Sequence, residues 1–131
     1  MPIPRGEESH FSGPSPPSAL RSSQVADLAL WLVGRRRRWR VAGTSMVPLL
    51  QPGEEVLINP RAYGQEFPQP GDLVVVAHPT QPDLKLIKWV VYGDEQGYFL
   101  KGLNAAASTD SRAFGLVPRE AFLGQVVCRL P

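Results

Sequence analysis

The stretch DLVVVAHPTQPDLKLIKWVVYGDEQGYFLKG, residues 72–102, decides the fold because it contains three strand-like runs separated by turn residues. The runs span residues 72–78, 84–92 and 98–102, and they are rich in the β-branched and aromatic residues that favour strands. Pro79 and the glycine-bounded run 93–97 interrupt them. The stretch therefore predicts successive strands joined by short turns.

Three further runs of the same kind lie outside this stretch, at residues 39–43, 55–59 and 122–130. Clusters of Gly, Pro and Asn separate the runs and predict loops between them. We predict a mainly β fold, either a curled sheet or a partly open barrel, with one short N-terminal helix.

The N-terminal part of the chain divides into a tail and a helix. Residues 1–22 are rich in Pro, Ser and Gly and predict a disordered tail, because they bury too little apolar surface to offset their ordering entropy. Residues 23–37 predict a helix, capped by Ser22 or Ser23 and ended by Gly34, followed by a basic segment. Residues 38–131 are the predicted β core, so the folded domain is expected to span residues 23–131.

Composition excludes several classes of function. A net charge of +2 over 131 residues is too small to indicate a nucleic-acid partner. One cysteine rules out an internal disulfide and fits a reducing compartment, so we expect a cytoplasmic protein. With only two histidines besides, we predict no metal site and no cofactor.

The longest apolar run is too short to cross a membrane. Residues 25–33 are about half of the ~20 residues that a bilayer requires, and Asp27 lies among them. We therefore predict no transmembrane segment. A helix with a basic exit can also lie on an anionic membrane surface, which is the less favoured alternative here.

A serine lies in a tight bend within GTSMVP, residues 43–48, directly after a predicted strand. Gly43 permits close backbone approach and Pro48 fixes the exit of the bend. Ser45 is either a turn residue or a nucleophile, and the choice depends on whether the chain supplies a base.

The predicted strand 84–92 supplies a candidate base. Lys85 and Lys88 are an odd number of residues apart, so they face opposite sides of the strand. Lys88 lies mid-strand and is expected to share its face with three apolar or aromatic residues, Leu86, Val90 and Tyr92. Burial would lower its pKa and let it take a proton from Ser45. The alternative is an ordinary strand lysine whose ammonium reaches water.

Three motifs in the same order resemble the Ser/Lys-dyad peptidases of the signal peptidase I type. They are the Ser-Met-x-Pro bend 45–48 with a Pro-Gly turn after it, the lysine segment IKWV, 87–90, and the box GLNAAASTDSRAFG, 102–115. The resemblance covers about residues 38–130 and implies the curled sheet of signal peptidase and LexA domains. Leu103 and Trp89 depart from the family pattern, which has Asp and Arg there.

The resemblance implies a role for each matching residue. Ser45 would be the nucleophile and Lys88 the general base. The nucleophile turn of Gly43, Thr44 and Ser45 would stabilise the oxyanion, with the Ser45 N–H as one donor. In many signal peptidases the position of Gly43 has a residue whose hydroxyl assists the oxyanion hole. Glycine has no hydroxyl, so Thr44 is the other candidate donor here.

Further residues would support this dyad. Ser108 would orient Lys88, while Asp110 and Arg112 would form an ion pair holding their loop beside it. Met46 is expected under the nucleophile turn, where it would line the substrate pocket. His78, before a proline at a strand end, is interpreted as structural.

The segment NPRAYGQEFPQPGDLVVVAHP, residues 59–79, is similar to the linker in the subgroup that matures nickel-type superoxide dismutase. This resemblance implies a protein substrate, the superoxide dismutase precursor, from which a short N-terminal propeptide is removed. The nickel would belong to that substrate.

Three alternatives stay open. A signal peptidase acting on exported precursors needs a membrane anchor, and none is evident in the sequence. A self-cleaving LexA-type repressor needs a DNA-binding domain, for which residues 1–37 are too short and too rich in Pro and Ser. A β-barrel binding module would use Ser45 only as a turn residue.

Overall fold

One antiparallel sheet organises the part of the chain that the computed structural model describes, which is residues 14–104, 106 and 109–131. Within it the strand order is β1-β2-β6-β3-β4-β5, so β1 and β5 form the two edges and the sheet is open. The mainly β prediction is confirmed, as an open sheet consistent with the curled form. The strands are β1 (Arg37–Arg40), β2 (Glu55–Asn59), β3 (Leu73–Ala77), β4 (Lys85–Asp94), β5 (Gly97–Lys101) and β6 (Phe122–Arg129).

Two turns of the same type and nearly the same sequence lead into strands of this sheet. In QPGE, 51–54, and QPGD, 69–72, the fourth residue's N–H donates to the first residue's carbonyl, at 3.1 and 3.0 Å. Gly53 and Gly71 have φ of +90° and +92°. Pro followed by Gly at these positions is the signature of a type II turn, because only glycine adopts such a φ without strain.

The N-terminal helix α1 (Val25–Leu32) has its N-cap one residue after Ser23, the later of the two predicted caps. Gln24 is the N-cap, and its backbone N–H donates to the Asp27 carboxylate at 2.8 Å. The predicted caps were wrong because Ser22 and Ser23 lie beside β6 instead, where the Ser23 N–H donates to the Arg129 carbonyl at 2.8 Å.

Gly34 ends α1 as predicted. Its φ is +80°, its N–H donates to Trp31, and the Arg35 N–H donates to Leu30, at 3.0 and 2.8 Å. This pair of bonds is a Schellman motif. Over the described residues, no helix has the length and hydropathy needed to span a bilayer.

The predicted tail and the first strand differ from the structure. Residues 1–13 lie outside the described residues, whereas Leu20 packs against the core and the Arg21 carbonyl accepts from the Arg129 N–H at 2.9 Å. The first strand covers residues 37–40 rather than 39–43, because pairing with β2 runs from Arg37 opposite Ile58 to Arg40 opposite Glu55. One arginine assigned to the basic segment, Arg37, is therefore in an edge strand, where exposed charge discourages pairing with other chains.

Both faces of the sheet are covered by apolar side chains, in two core clusters. The first consists of Val41, Met46, Leu50, Val56, Ile58, Leu73, Val75, Ile87, Trp89 and Val126. The second consists of Val74, Val76, Val90, Tyr98, Leu100 and Val117. Alternation along β4 sends Ile87 and Trp89 to the first cluster, and Lys88 and Val90 to the face of the second.

A β-bulge corrects one prediction for β4. The register between β4 and β5 shifts between Val90 and Tyr92, so Tyr92 pairs with Phe99 rather than lying on the face of Val90. The rings of Tyr92 and Phe99 stack with centroids 5.2 Å apart. Tyr92 therefore does not share the face of Lys88.

Two short elements complete the described fold, α2 (Ser111–Phe114) and a 3₁₀ turn (Arg119–Ala121) that leads into β6.

Candidate active site

Lys88 is held at the centre of the sheet. It lies in β4 opposite Val74 of β3, and only 2% of its surface is exposed. Burial lowers the pKa of its ammonium; the negative charge of Asp110 opposes this effect, and the positive charge of Arg112 adds to it. The side chain is therefore buried rather than extended into bulk solvent, and the neutral amine is favoured at a lower pH than for an ordinary lysine.

The nucleophile turn, residues 43–45, follows directly from the first edge of the sheet. The Val41 N–H donates to the Glu54 carbonyl at 2.8 Å, and the chain then bends at Gly43, whose φ is +76°. No atom lies within 4 Å of a Cβ built on Gly43, so the backbone angle rather than crowding requires glycine there. The peptide bond between Val47 and Pro48 is cis.

Asn104, in the loop after β5, forms hydrogen bonds with this turn. Its side-chain Nδ2 donates to the Thr44 carbonyl at 3.1 Å, and its backbone N–H donates to the Ser45 carbonyl at 2.8 Å. These bonds fix the peptide units on both sides of the Ser45 Cα, one of which carries the Ser45 N–H. The position of the serine thus depends on a residue about 60 positions later in the chain.

One cleft of about 360 Å³ contains the serine and the lysine together. Gly43, Thr44 and the half-buried Ser45 form one wall, and Lys88 projects from β4. A larger groove, of about 490 Å³, contains neither residue of the pair. The remaining residues lining the smaller cleft are His78, Gln81, Leu84, Leu86 and Thr109.

Asp110 and Arg112 form the ion pair that the resemblance implied. The Arg112 guanidinium donates to both carboxylate oxygens, at 2.9 and 2.6 Å, and the backbone N–H groups of Gly102 and Arg112 donate at 3.0 and 3.1 Å. Burial alone would raise the pKa of Asp110, but these donors outweigh it and hold the pKa at about 2. A permanent negative charge, 1% exposed, therefore lies in the loop beside Lys88.

Comparison with known proteins places these residues in a family. The family model described as signal peptidase, peptidase S26, matches residues 25–93 and 94–130. The chain belongs to the peptidase S26 family. This is a family of serine peptidases of the signal peptidase I type, and both Ser45 and Lys88 fall within the matched residues.

A curated member of the S26 family gives a partial match. The protein named Signal peptidase I from Aquifex aeolicus, strain VF5, is 32% identical over 63 residues. The aligned part is 47% of this chain and 25% of that protein, so the chain spans about a quarter of the relative's length.

Not every residue predicted for the S26 site lines the cleft. Met46 is fully buried in the first core cluster, under the nucleophile turn. Its expected place in the core is therefore observed, but the predicted pocket role finds no support because no part of the side chain is exposed. Ser108 lies outside the described residues.

The two departures from the S26 pattern are also explained by packing. Trp89 is 5% exposed and Leu103 packs against the same first cluster, on the face of the sheet away from Lys88. Apolar residues at these two positions add to the core.

The structure gives two residues, Asn104 and His78, a position at the site that the sequence reasoning did not assign to them. Asn104 was part of the third motif, but its contact with the nucleophile turn needs long-range geometry to be seen. His78 was interpreted as structural, and it does pack against Phe114, with centroids 4.8 Å apart; it also lines the cleft. Its Nδ1 accepts from the Thr80 and Gln81 N–H groups at 3.1 and 3.2 Å, so this nitrogen is engaged with backbone.

Proposed function

We propose that the chain is a serine endopeptidase in which Ser45 is the nucleophile and Lys88 the general base. The observation that carries this proposal is that a half-buried serine and a buried lysine with a lowered pKa line the same cleft. Membership of the peptidase S26 family supports it independently. A module that used Ser45 only for a turn would not require a buried lysine in the same cleft.

The chemistry follows from the protonation state of Lys88. The neutral amine takes the proton from Ser45 Oγ as that oxygen attacks the scissile carbonyl carbon. The protonated lysine then gives the proton to the leaving amine, and the C–N bond breaks to leave an acyl-enzyme. A water molecule, deprotonated by the same lysine, attacks the ester and releases the acyl product, with the proton returning to Ser45 Oγ.

The nucleophile turn supplies the electrostatic part of this mechanism. The Ser45 N–H is the proposed donor to the developing oxyanion, and the two Asn104 bonds hold the neighbouring carbonyls still. A donor that is fixed before reaction stabilises the transition state without reorganisation at the moment of attack. Thr44 is the candidate for a second donor.

We further propose that the substrate is the precursor of a nickel-type superoxide dismutase, processed in the cytoplasm. The support is the similarity of residues 59–79 to the linker of that subgroup. In the structure most of this segment is the loop between β2 and β3. Arg119 contacts it, donating to the Tyr63 and Glu66 carbonyls at 2.7 and 2.9 Å and lying 4.2 Å from the Phe67 ring centroid.

Cleavage of exported precursors is the second candidate function. The family match and the 32% identity to a protein named Signal peptidase I favour it. It uses the same dyad and differs only in the polypeptide that enters the cleft.

The intact mass of purified nickel superoxide dismutase precursor, measured after incubation with this protein, tests both parts. We expect loss of the propeptide with wild type and none with Ser45→Ala or Lys88→Ala. Lys85→Ala is the matched control, because that lysine is exposed and on the opposite face of β4, and it should cleave normally. An exported precursor is incubated in parallel.

The outcomes separate the substrate from the mechanism. Cleavage of the exported precursor alone would refute the superoxide dismutase assignment and keep the dyad. Cleavage that survives in Ser45→Ala would refute the dyad itself.

A further inference from the structure

Helix α1 presents its apolar side chains to solvent. Val25, Leu28 and Leu32 follow the spacing i, i+3, i+7 and therefore form one stripe along the helix. They are 83%, 38% and 87% exposed, and Val33 after the helix is 70% exposed. A stripe of this kind normally faces the core of its own protein, so its exposure calls for a physical explanation.

The opposite side of α1 shows why the helix is oriented this way. Asp27 is 5% exposed, and the Arg21 guanidinium donates to both of its carboxylate oxygens at 2.7 Å. The Gln24 N–H donates to the same group. This inward carboxylate fixes the rotation of the helix, so the apolar stripe has to point away from the sheet.

A dense positive charge adjoins the apolar stripe. Residues 35–40 contain five arginines, and four of these, at 35, 37, 38 and 40, are exposed. The Arg38 guanidinium lies 5.7 Å from the ring centroid of Trp31, which belongs to α1 and is 36% exposed. The nearby Glu55 contacts Arg38 and Arg40 only loosely, at 3.5 and 3.7 Å. Trp31 and Arg38 therefore join the apolar stripe to the charged run, and Arg40 lies on the same face of β1 as Arg38.

We propose that this surface, α1 with residues 33–40, docks on an anionic lipid bilayer. An exposed apolar helix face with adjoining arginines matches the two layers of such a membrane, since acyl chains take up the stripe and anionic headgroups pair with the guanidinium groups. Tryptophan favours the interface between these layers.

A second copy of the chain fits this surface less well. An isologous contact across α1 would bring the same arginine run of two molecules together, and like charges would repel. The charge of the surface thus selects a negatively charged occupant. The inference does not depend on the proposed peptidase activity, because it concerns binding alone.

Sedimentation with lipid vesicles tests the proposal on the full chain. One set of vesicles contains phosphatidylcholine alone and the other also contains phosphatidylglycerol. We expect binding to the anionic vesicles, weaker binding at high salt, and little binding to the neutral vesicles. A blue shift of tryptophan emission on binding should be lost in Trp31→Phe.

Two double variants separate the contributions of charge and apolar surface. Arg35→Gln with Arg38→Gln should weaken binding about 25-fold, at about fivefold for each arginine. Leu28→Ser with Leu32→Ser should weaken it at least about tenfold. Arg61→Gln with Lys85→Gln removes the same charge from exposed positions elsewhere and should leave binding within about twofold. Thermal unfolding of each variant confirms that it is folded.

Three results would overturn the proposal. They are no binding to anionic vesicles, equal binding to both vesicle types, and equal weakening by the control pair and the Arg35–Arg38 pair. A concentration-dependent dimer that the Leu28–Leu32 pair dissociates, in a preparation that does not bind vesicles, would assign the surface to a second copy.

Discussion

Replacing Asp110 by Asn should lower stability by an amount that the structure sets. The pKa of Asp110 is about 2, against about 3.9 for an unfolded chain, because Arg112 and two backbone N–H groups stabilise its charge. At about 1.4 kcal/mol per pKa unit, this difference contributes about 2 to 3 kcal/mol to the free energy of unfolding at neutral pH.

The sign of the pH dependence follows from the lowered pKa. The contribution of Asp110 is fully present above the unfolded pKa near 4, and it is lost as the pH falls through the native pKa of about 2. Wild type should therefore lose its advantage over Asp110→Asn between about pH 5 and pH 2, because the amide does not titrate.

Urea unfolding followed by tryptophan fluorescence at pH 7, 5 and 3 measures this difference. Asp83→Asn, which changes an exposed carboxylate, is the control and should follow wild type. Equal stability of Asp110→Asn and wild type at pH 7, or an advantage that does not shrink toward pH 3, would refute the electrostatic account.

The same variant also probes Lys88. The charge of Asp110 raises the pKa of Lys88 and that of Arg112 lowers it, so neutralising Asp110 should lower the pKa further. The acidic limb of the pH–activity profile should move to lower pH. A merely structural role for Asp110 would reduce activity without moving this limb.

Three other substitutions give separate tests. Lys88→Met should abolish cleavage yet raise the free energy of unfolding, measured in urea at neutral pH, above that of wild type. This difference in the free energy of unfolding should shrink by at most about 1.4 kcal/mol per pH unit as the pH rises above the lowered pKa of Lys88. Asn104→Ala should lower the free energy of unfolding by about 1 kcal/mol and lower kcat about tenfold with little change in KM. An unchanged kcat would exclude a role of Asn104 in positioning the nucleophile turn. Gly43→Ala should cost about 1–2 kcal/mol in thermal unfolding because its φ is +76°, whereas Gly64→Ala, at ordinary φ, should not.

The strands could be predicted from sequence because their signals are local. The runs 55–59 and 73–77 were located to within a residue by β-branched composition and by the turns beside them. The first strand was misplaced because three arginines and a tryptophan lack the composition of a strand, and only pairing with β2 makes them one. The bulge that turns Tyr92 away is a feature of the pairing between β4 and β5 and has no local signal.

The candidate site also contains residues that local sequence predicts and residues that it does not. Ser45 and Lys88 were identified because the signal for each is local: a bend that begins with glycine for the serine, and a mid-strand position for the lysine. Burial of Lys88 could be expected from its apolar neighbours. The contact of Asn104 with the nucleophile turn could not, because it joins residues about 60 positions apart.

One residue, Lys88, is the proposed base and also affects the stability of the sheet. Lys88 occupies a position where an apolar side chain would pack at no electrostatic cost, and it is among the largest fully buried side chains of the described core. A lysine there is destabilising while charged, and the same desolvation lowers its pKa toward the range a base needs. Asp110 limits this effect, because its charge keeps the pKa of Lys88 from falling further. The S26 site is therefore a compromise in which the loop after β5 restores part of the stability that the buried lysine removes.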